Sequence, residues 1–441
     1  INLKLNNAMP IQSQNAGGID IGDSEHVVAT VNADGVHQTA AYGSFTEDLK
    51  KLVKDLKQKG VTTVAMEATG IYWLNLYLML ENAGMDPWLV NAKHVKNVTG
   101  RKKDDTDAIW IQKLHACGLL QRCFQPDEQY RILRTYIRQR KNLIRVASDS
   151  ARRMQKALEL MNIKLHIVIS DILGKTGMQM IGAILRGERN PEDLRKYIDP
   201  RVKASHEEII KSLEGIYKEE YLFMLRQSHD EYSFYQQQIQ DCDERIKNQL
   251  LNQVALVREG DVTEFTEDVK KKPRKNSLRF RADHFLKVLT GVDICKIPSV
   301  GENTAVEFIS EVGVDMTKWA SQKHFVAWLN LAPNTKISGG KVISSKLPNR
   351  KNKAGQILKM AASSMSNSKS PLGDEYRRMR AKFGGKGAAL AMAHKLARII
   401  YKMIRDQQEY NPNTVTKNQE KQKQQKIKRL EKQLEKLKSA A

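Results

Sequence analysis

Cysteine is scarce in this chain: 441 residues carry four, Cys117, Cys123, Cys242 and Cys295, with no paired short spacing. That excludes a zinc ribbon and a disulfide framework, and makes a reducing cytoplasm the expected compartment. Long apolar runs are lacking too, and the N-terminal residues are polar rather than signal-like, so no membrane partner is expected. The chain starts at Ile1, so its initiator is expected upstream. Acids are in deficit, 50 Asp and Glu against 73 Lys and Arg, for a formal net charge of +23. This balance is typical of proteins that neutralise phosphate backbones, although a merely soluble basic protein would share it. The length predicts two or three domains, each with its own core.

Four carboxylates stand beside apolar stretches in the first quarter: Asp20, Glu67, Asp104 and Asp107. Residues 17–22 and 26–31 read as two strands joined by a tight turn, with Asp20 inside the first. A short strand through residues 40–42 follows, then a helix with Leu49, Leu52, Val53 and Leu56 at helical spacing. Residues 62–66 read as a buried strand ending at Glu67, residues 70–81 as a helix, 88–90 as a strand and 104–120 as a third helix. A meander followed by alternating strands and helices predicts an α/β RNase H-like domain with a mixed sheet. Asp104 and Asp107, three apart, would share a helix face and converge with Asp20 and Glu67 on a divalent cation. Mg²⁺, or Mn²⁺ in its place, suits oxygen ligands and phosphodiester chemistry. The residues alone leave a second reading open, in which the Asp104–Asp107 run is a solvated helix start with Asp as N-cap and Glu67 a strand-end acid.

Beyond this region the texture turns to long helices. From Leu133, the positions Ile137, Arg140, Ile144, Ala147, Ala151, Met154, Leu158 and Met161 step by four and three, a coiled-coil-like stripe broken by one Arg. A second helix over residues 206–257 is expected to return antiparallel. The basic outer face of the first, with Arg138, Lys141, Arg145, Arg152, Arg153 and Lys156, reads equally as a nucleic-acid track or a solvated surface. Residues 270–281 form a basic, Pro-interrupted linker suited to touching phosphates. Ile297-Pro298-Ser299-Val300-Gly301, leading into Thr304 on a helix, resembles a helix-hairpin-helix, in which hairpin amides and a helix N-terminus contact phosphate. Its usual first hairpin glycine is Ser299 here. After Trp328 the chain is expected to enter a Gly- and Lys-rich loop that exposes Ser338 on flexible backbone among Lys336, Lys341 and Arg350. A serine hydroxyl is a weak nucleophile without activation, so a turn residue is the alternative. Gly384-Gly385-Lys386-Gly387 precedes an Ala-rich helix ending near Tyr401.

In order, Gly-Ile-Asp20, Met-Glu67-Ala-Thr-Gly, Gly100-Arg101-Lys102-Lys103-Asp104-Asp105-Thr106-Asp107-Ala108, Ile297-Pro298-Ser299-Val300-Gly301, Leu331-Ala332-Pro333 with Ser338-Gly339-Gly340-Lys341, and residues 391–397 resemble the DEDD transposases of the insertion sequence 110 group, especially its 1111-like branch. The resemblance implies a RuvC-like catalytic domain (1–125), a helical coiled-coil region (126–260) and a mainly α C-terminal transposase domain with a catalytic serine (286–410); residues 261–285 read as a basic linker, and 411–441 as an extra polar tail whose Ile427, Leu430, Leu434 and Leu437 lie on one stripe of a short oligomerising or solvated helix. The resemblance places the tetrad on Asp20, Glu67, Asp104 and Asp107 and the nucleophile on Ser338; the hairpin and the basic loop themselves make Gly301, Thr304, Lys336, Lys341 and Arg350 the expected phosphate contacts. It further implies a bacterial, nucleoid-associated enzyme that works as a homodimer or homotetramer with composite sites, forms a covalent phosphoserine on DNA, and uses an element-encoded non-coding RNA as guide. Two departures stand out: Lys102-Lys103-Asp104 replaces the usual Lys-Thr-Asp, and Ser344 and Ser345 lie near Ser338. A RuvC-like nuclease using the acids and water, and a non-catalytic nucleic-acid scaffold, are the competing functions.

Overall fold

A computed structural model describes residues 10–92, 95, 106–259, 265, 274–347, 351–413, 424, 427 and 431. Asp104, Arg350, the first part of the basic linker, and Leu430, Leu434 and Leu437 of the tail lie outside the described residues. The chain divides into two compact units, Ile1–Gln125 and Pro126–Ala441.

In the first unit, β1 (Ala16–Ile21), β2 (Glu25–Val31) and β3 (His37–Gly43) form an antiparallel meander, while β4 (Thr63–Glu67) and β5 (Asp86–Val90) continue the sheet in parallel with β1. The order is β3-β2-β1-β4-β5. The β2–β3 turn is set by Asn32, whose Oδ1 accepts from the amides of Asp34 (3.1 Å) and Val36 (2.8 Å), and by Gly35 at φ 77°. The parallel strands need crossovers, which α1 (Thr46–Gln58) and α2 (Trp73–Asn82) supply. Both helices cover one sheet face. Leu49, Leu52, Val53 and Leu56 of α1 and Leu76, Tyr77 and Leu80 of α2 pack on Ile19, Ile21, Val28, Val64 and Met66. Each such side chain contributes about 1.5–3 kcal/mol on full burial. The opposite face takes α3 (Asp107–Ala116), where Trp110, Ile111 and Leu114 pack on Ala65 and Val90. This is the mixed, helix-flanked sheet that the sequence predicted.

The second unit is mainly helical. Its spine is α4 (Glu128–Leu160) against a later helix of 39 residues, Glu219–Val257. The pair is antiparallel: Gln253 donates to the Gln129 carbonyl (3.1 Å), Arg140 pairs with Asp243, and Arg153 pairs with Glu231. Between them, α5 (Leu165–Val168), α6 (Lys175–Leu185), α7 (Pro191–Arg195) and α8 (His206–Leu213) enclose a core around Met154, Leu158, Met161, Ile181 and Leu213. The second long helix expected over 206–257 is therefore two, α8 and α9 (Glu219–Val257). At the break the Ile216 amide donates to the Met161 carbonyl at 2.7 Å, and Gly215 allows this close approach, since a Cβ there would stand 2.7 Å from the same oxygen and 2.6 Å from Ile163.

The basic face of α4 is solvent-exposed, and several of its cations carry ion pairs. Arg138 makes a two-pronged contact with Glu311, Lys141 reaches Glu307 at 2.9 Å, and Arg152 and Arg153 are paired with Asp149 and Glu231. Much of it is spent on internal ion pairs. Glu307 and Glu311 belong to α11 (Glu302–Val312), which follows α10 (Ala282–Thr290). Next come α12 (Gln322–Trp328), the hairpin β6 (Asn334–Ser338) and β7 (Lys341–Lys346), α13 (Lys353–Ser364) and α14 (Pro371–Asp406). Phe308, Trp319, Phe325 and Tyr401 form an aromatic core among them. Gly384 (φ 71°, ψ 174°) is non-helical and divides α14 into two arms, the second being the Ala-rich helix expected after the glycines. Among the described residues no helix is long and apolar enough to cross a membrane.

Candidate functional site

Strand alternation decides where the acids point. Ile19 and Ile21 of β1 enter the core under α1 and α2, so Gly18 and Asp20 face the α3 side. On β4, Ala65 packs in the α3-side core, and Glu67, two residues on, shares that face. The parallel register ends at Ile19↔Met66, and Asp20 and Glu67 are each the next residue. They therefore stand side by side at the carboxyl ends of adjacent strands, both half-buried.

Helix α3 brings a third acid. A Cβ on Gly18 would lie 2.3 Å from the Gln112 amide nitrogen and 2.4 Å from the Ala108 carbonyl oxygen, so only glycine lets α3 rest directly on β1. Gln112 is buried and donates from Nε2 to the Ala16 carbonyl at 3.1 Å. With Gln112 over Ala16 and Ala108 over Gly18, the start of α3 points toward the Asp20 end. Asp107 is its first residue and is exposed. The cap is Thr106, with extended backbone and a side chain that accepts from the Ile109 amide at 3.3 Å. The helix face that Asp104 and Asp107 were expected to share does not follow, because the helix starts only after Thr106, and no Asp serves as its N-cap.

Among the described residues, no three His, Cys, Asp or Glu side chains are close enough to hold a metal ion. Asp20, Glu67 and Asp107 share a sheet face and one end of it without forming a closed cage. Behind the β1–β2 turn, burial pushes the His26 imidazole below its ordinary range, against an opposing pull from Asp20. Sequence reasoning missed the surface beside Glu67, where Ile71 is 80 % exposed and Tyr72 48 %. The signal for it was the Gly70-Ile71-Tyr72 step directly after the strand.

Ser338 belongs to the second unit and is not on a loop. Thr335, Ile337, Val342 and Ile343 supply β-branched residues, and Gly339 (φ 54°) and Gly340 (φ 74°) form the two-residue turn of a tight hairpin. Ser338 pairs with Lys341 at its closing end, and the whole of β6 is exposed. Lys336 and Lys341 are exposed on the same ribbon, Ser344 pairs with Lys336, and Ser345 shares a hydrogen bond with Thr335 at 3.3 Å.

Gly301 is the N-cap of α11 and exposed, with Thr304 in the first turn and half-buried. Ser299 just before it has φ 68°, a backbone that favours glycine. Two first-turn side chains of α11 are engaged internally: Glu302 accepts from the Ala282 amide (2.7 Å) and Asn303 from the Leu278 amide (3.0 Å).

Residues 17–163 match the DEDD transposase model of the IS110 type, described as a transposase, and residues 293–378 match a model described as transposase, IS116/IS110/IS902 family. No curated protein matches the chain. The first match contains Asp20, Glu67 and Asp107, the second Ser338 and Gly301, in the order the motifs predicted. The chain belongs to the IS110 family of DEDD transposases, enzymes that act on DNA.

Proposed function

We propose that this transposase cuts and rejoins DNA by transesterification through Ser338, with Asp20, Glu67, Asp104 and Asp107 holding a divalent metal ion. The observation that carries the reading is that Asp20, Glu67 and Asp107 share one face and one end of the sheet. The donors are all carboxylate oxygens, a set that fits Mg²⁺ or Mn²⁺. Such an ion would supply charge neutralisation at the phosphate oxygens.

Ser338 Oγ forms the new bond to phosphorus while the bond from phosphorus to the sugar oxygen breaks. The hydroxyl proton leaves to a solvent base, and the released sugar oxygen takes one up. One phosphodiester replaces another, so a hydroxyl on a second strand can reverse the step and rejoin DNA. Lys341, the cross-strand partner of Ser338, and Lys336 bring positive charge to the phosphate under attack. Gly301 and Thr304, in a helix-hairpin-helix whose Ser299 keeps glycine-like backbone, and Arg350 hold further phosphates without reading sequence. Target choice is delegated to an element-encoded non-coding RNA, and the enzyme acts as a homodimer or homotetramer.

A denaturing gel for a covalent protein–DNA adduct tests this. Wild type forms the adduct in Mg²⁺, Ser338→Ala loses both adduct and strand exchange, and Asp20→Asn loses cutting. A Ser338→Ala protein that still cuts would establish a nuclease using water instead. Recombination surviving Asp20→Asn would end the metal-site reading.

A further inference from the structure

We propose that the cleft at the Gly384 kink of α14 is a binding groove for the phosphate backbone of a nucleic-acid strand, a second site besides the Ser338 hairpin. The cleft has a volume of about 800 Å³ and lies between the end of α13 and the two arms of α14. Lys359, Ser363 and Ser366 line it from the α13 side, Arg380 from the arm before the kink, and Gly385 and Lys386 from the arm after it. Three cations therefore converge from three separate stretches of chain. None has a carboxylate partner among the described residues, whereas Lys395 on the same helix is paired with Glu375, and Arg377 with Asp374 at 2.5 Å. Cations left unpaired in a cleft this large favour an extended polyanion over a small apolar ligand.

The glycines give a second, independent indication. Gly384 is required by its φ of 71°, but a Cβ on Gly385 would meet nothing within 4 Å beyond its chain neighbours and its own helix turn. The fold does not need glycine there. A bare backbone lining a cationic cleft is what close approach of a phosphate would require. Leu347, which follows β7, also lines the cleft. β7 spans about 17 Å at the usual strand rise, which links the groove to the Ser338 end of the ribbon. A strand held in the groove is thereby tethered at about five nucleotide steps of duplex rise from that end.

This inference rests on the proposed action on DNA, and the experiment separates the two. Fluorescence anisotropy of the full chain is measured with a labelled 30-base-pair DNA duplex and a matching single-stranded RNA, from low to moderate salt. The test variant is Lys359→Gln/Arg380→Gln/Lys386→Gln. The control is Lys50→Gln/Lys51→Gln/Lys54→Gln, which removes equal charge from exposed positions of α1 on the sheet face opposite the acids. Each lost phosphate contact lowers the slope of log K against log salt by about 0.9 on duplex DNA and about 0.7 on a single strand. The test variant is expected to lose two to three such contacts and the control none. Gly385→Asp leaves every cation in place and puts an acid into the cleft, and is expected to weaken binding roughly tenfold. A loss confined to one probe assigns the groove to that nucleic acid. Wild-type slope and affinity in both cleft variants, with wild type binding normally, overturns the groove alone. A wild-type chain that binds neither probe overturns the proposed function.

Discussion

Replacing Gly18 with alanine tests whether the acids are positioned by the approach of α3 to β1. The added Cβ would sit 2.3 Å from the Gln112 nitrogen, 2.4 Å from the Ala108 oxygen and 2.7 Å from the Gln112 Cα. All three atoms are backbone, so no rotamer change relieves the clash, and α3 must move away by about 1 Å to restore van der Waals distance. Overpacking of this kind costs about 1–3 kcal/mol. Asp20 and Glu67 stay on their strands, while Asp107 moves with the helix. A displacement of 1 Å in a catalytic constellation costs about a hundredfold in rate. Gly17→Ala is the matched control, because its Cβ meets only Val61 and Val64 side chains, at 3.4 Å and beyond, on the other face. Thermal unfolding and Mg²⁺-dependent strand cutting are measured on both variants. Gly18→Ala is expected to lose activity far beyond what its fall in stability explains, and Gly17→Ala to stay near wild type. Equal, mild effects at the two glycines would refute the reasoning.

Three further outcomes follow from the geometry. Ser299→Gly, which relieves a non-glycine residue at φ 68°, should stabilise the second unit by about 0.5–1 kcal/mol in denaturant unfolding. Arg140 and Asp243 form a buried pair at 2.5 Å, in which burial raises the Asp243 carboxyl above its ordinary range against the pull of Arg140. Arg140→Met should cost about 3–5 kcal/mol by stranding the acid, and Arg140→Met/Asp243→Leu should recover most of it in the same assay. His115 is buried against Trp88 and shares a 2.8 Å hydrogen bond with Thr63, and burial pushes its imidazole down to about 4. The unfolded chain takes up that proton near pH 6.5 and the folded chain only near 4, so stability falls as pH drops through this window. The loss is roughly 3 kcal/mol, and His115→Gln should flatten it in unfolding curves taken at pH 4.5 and 7.

The sheet was legible because its strands announce themselves by β-branched residues and glycine turns, and the first helix by its apolar spacing. The side on which the acids lie was legible only in part: alternation puts Asp20 opposite Ile19, but which face α3 covers depends on Gly18, a contact between distant segments. The Arg in the α4 stripe looked like a defect, and its explanation lies at Asp243, a hundred residues later. The ribbon carrying Ser338 was read as a loop because neither face is buried, so no apolar alternation marks a core side. The glycines at 384–387 were legible as the start of the Ala-rich arm, while the helical arm that leads up to Gly384 was not.

The ribbon that carries Ser338 has one more consequence. Ile337, Val342 and Ile343 are 64 %, 61 % and 69 % exposed, and a two-stranded hairpin with neither side covered is marginally stable in water. Its covering must come from whatever it meets, so Ser338, in its proposed role as nucleophile, would gain a fixed mount only on engagement. On the proposed chemistry, a mount of this kind would hold strand cutting back until the nucleic acid is in place.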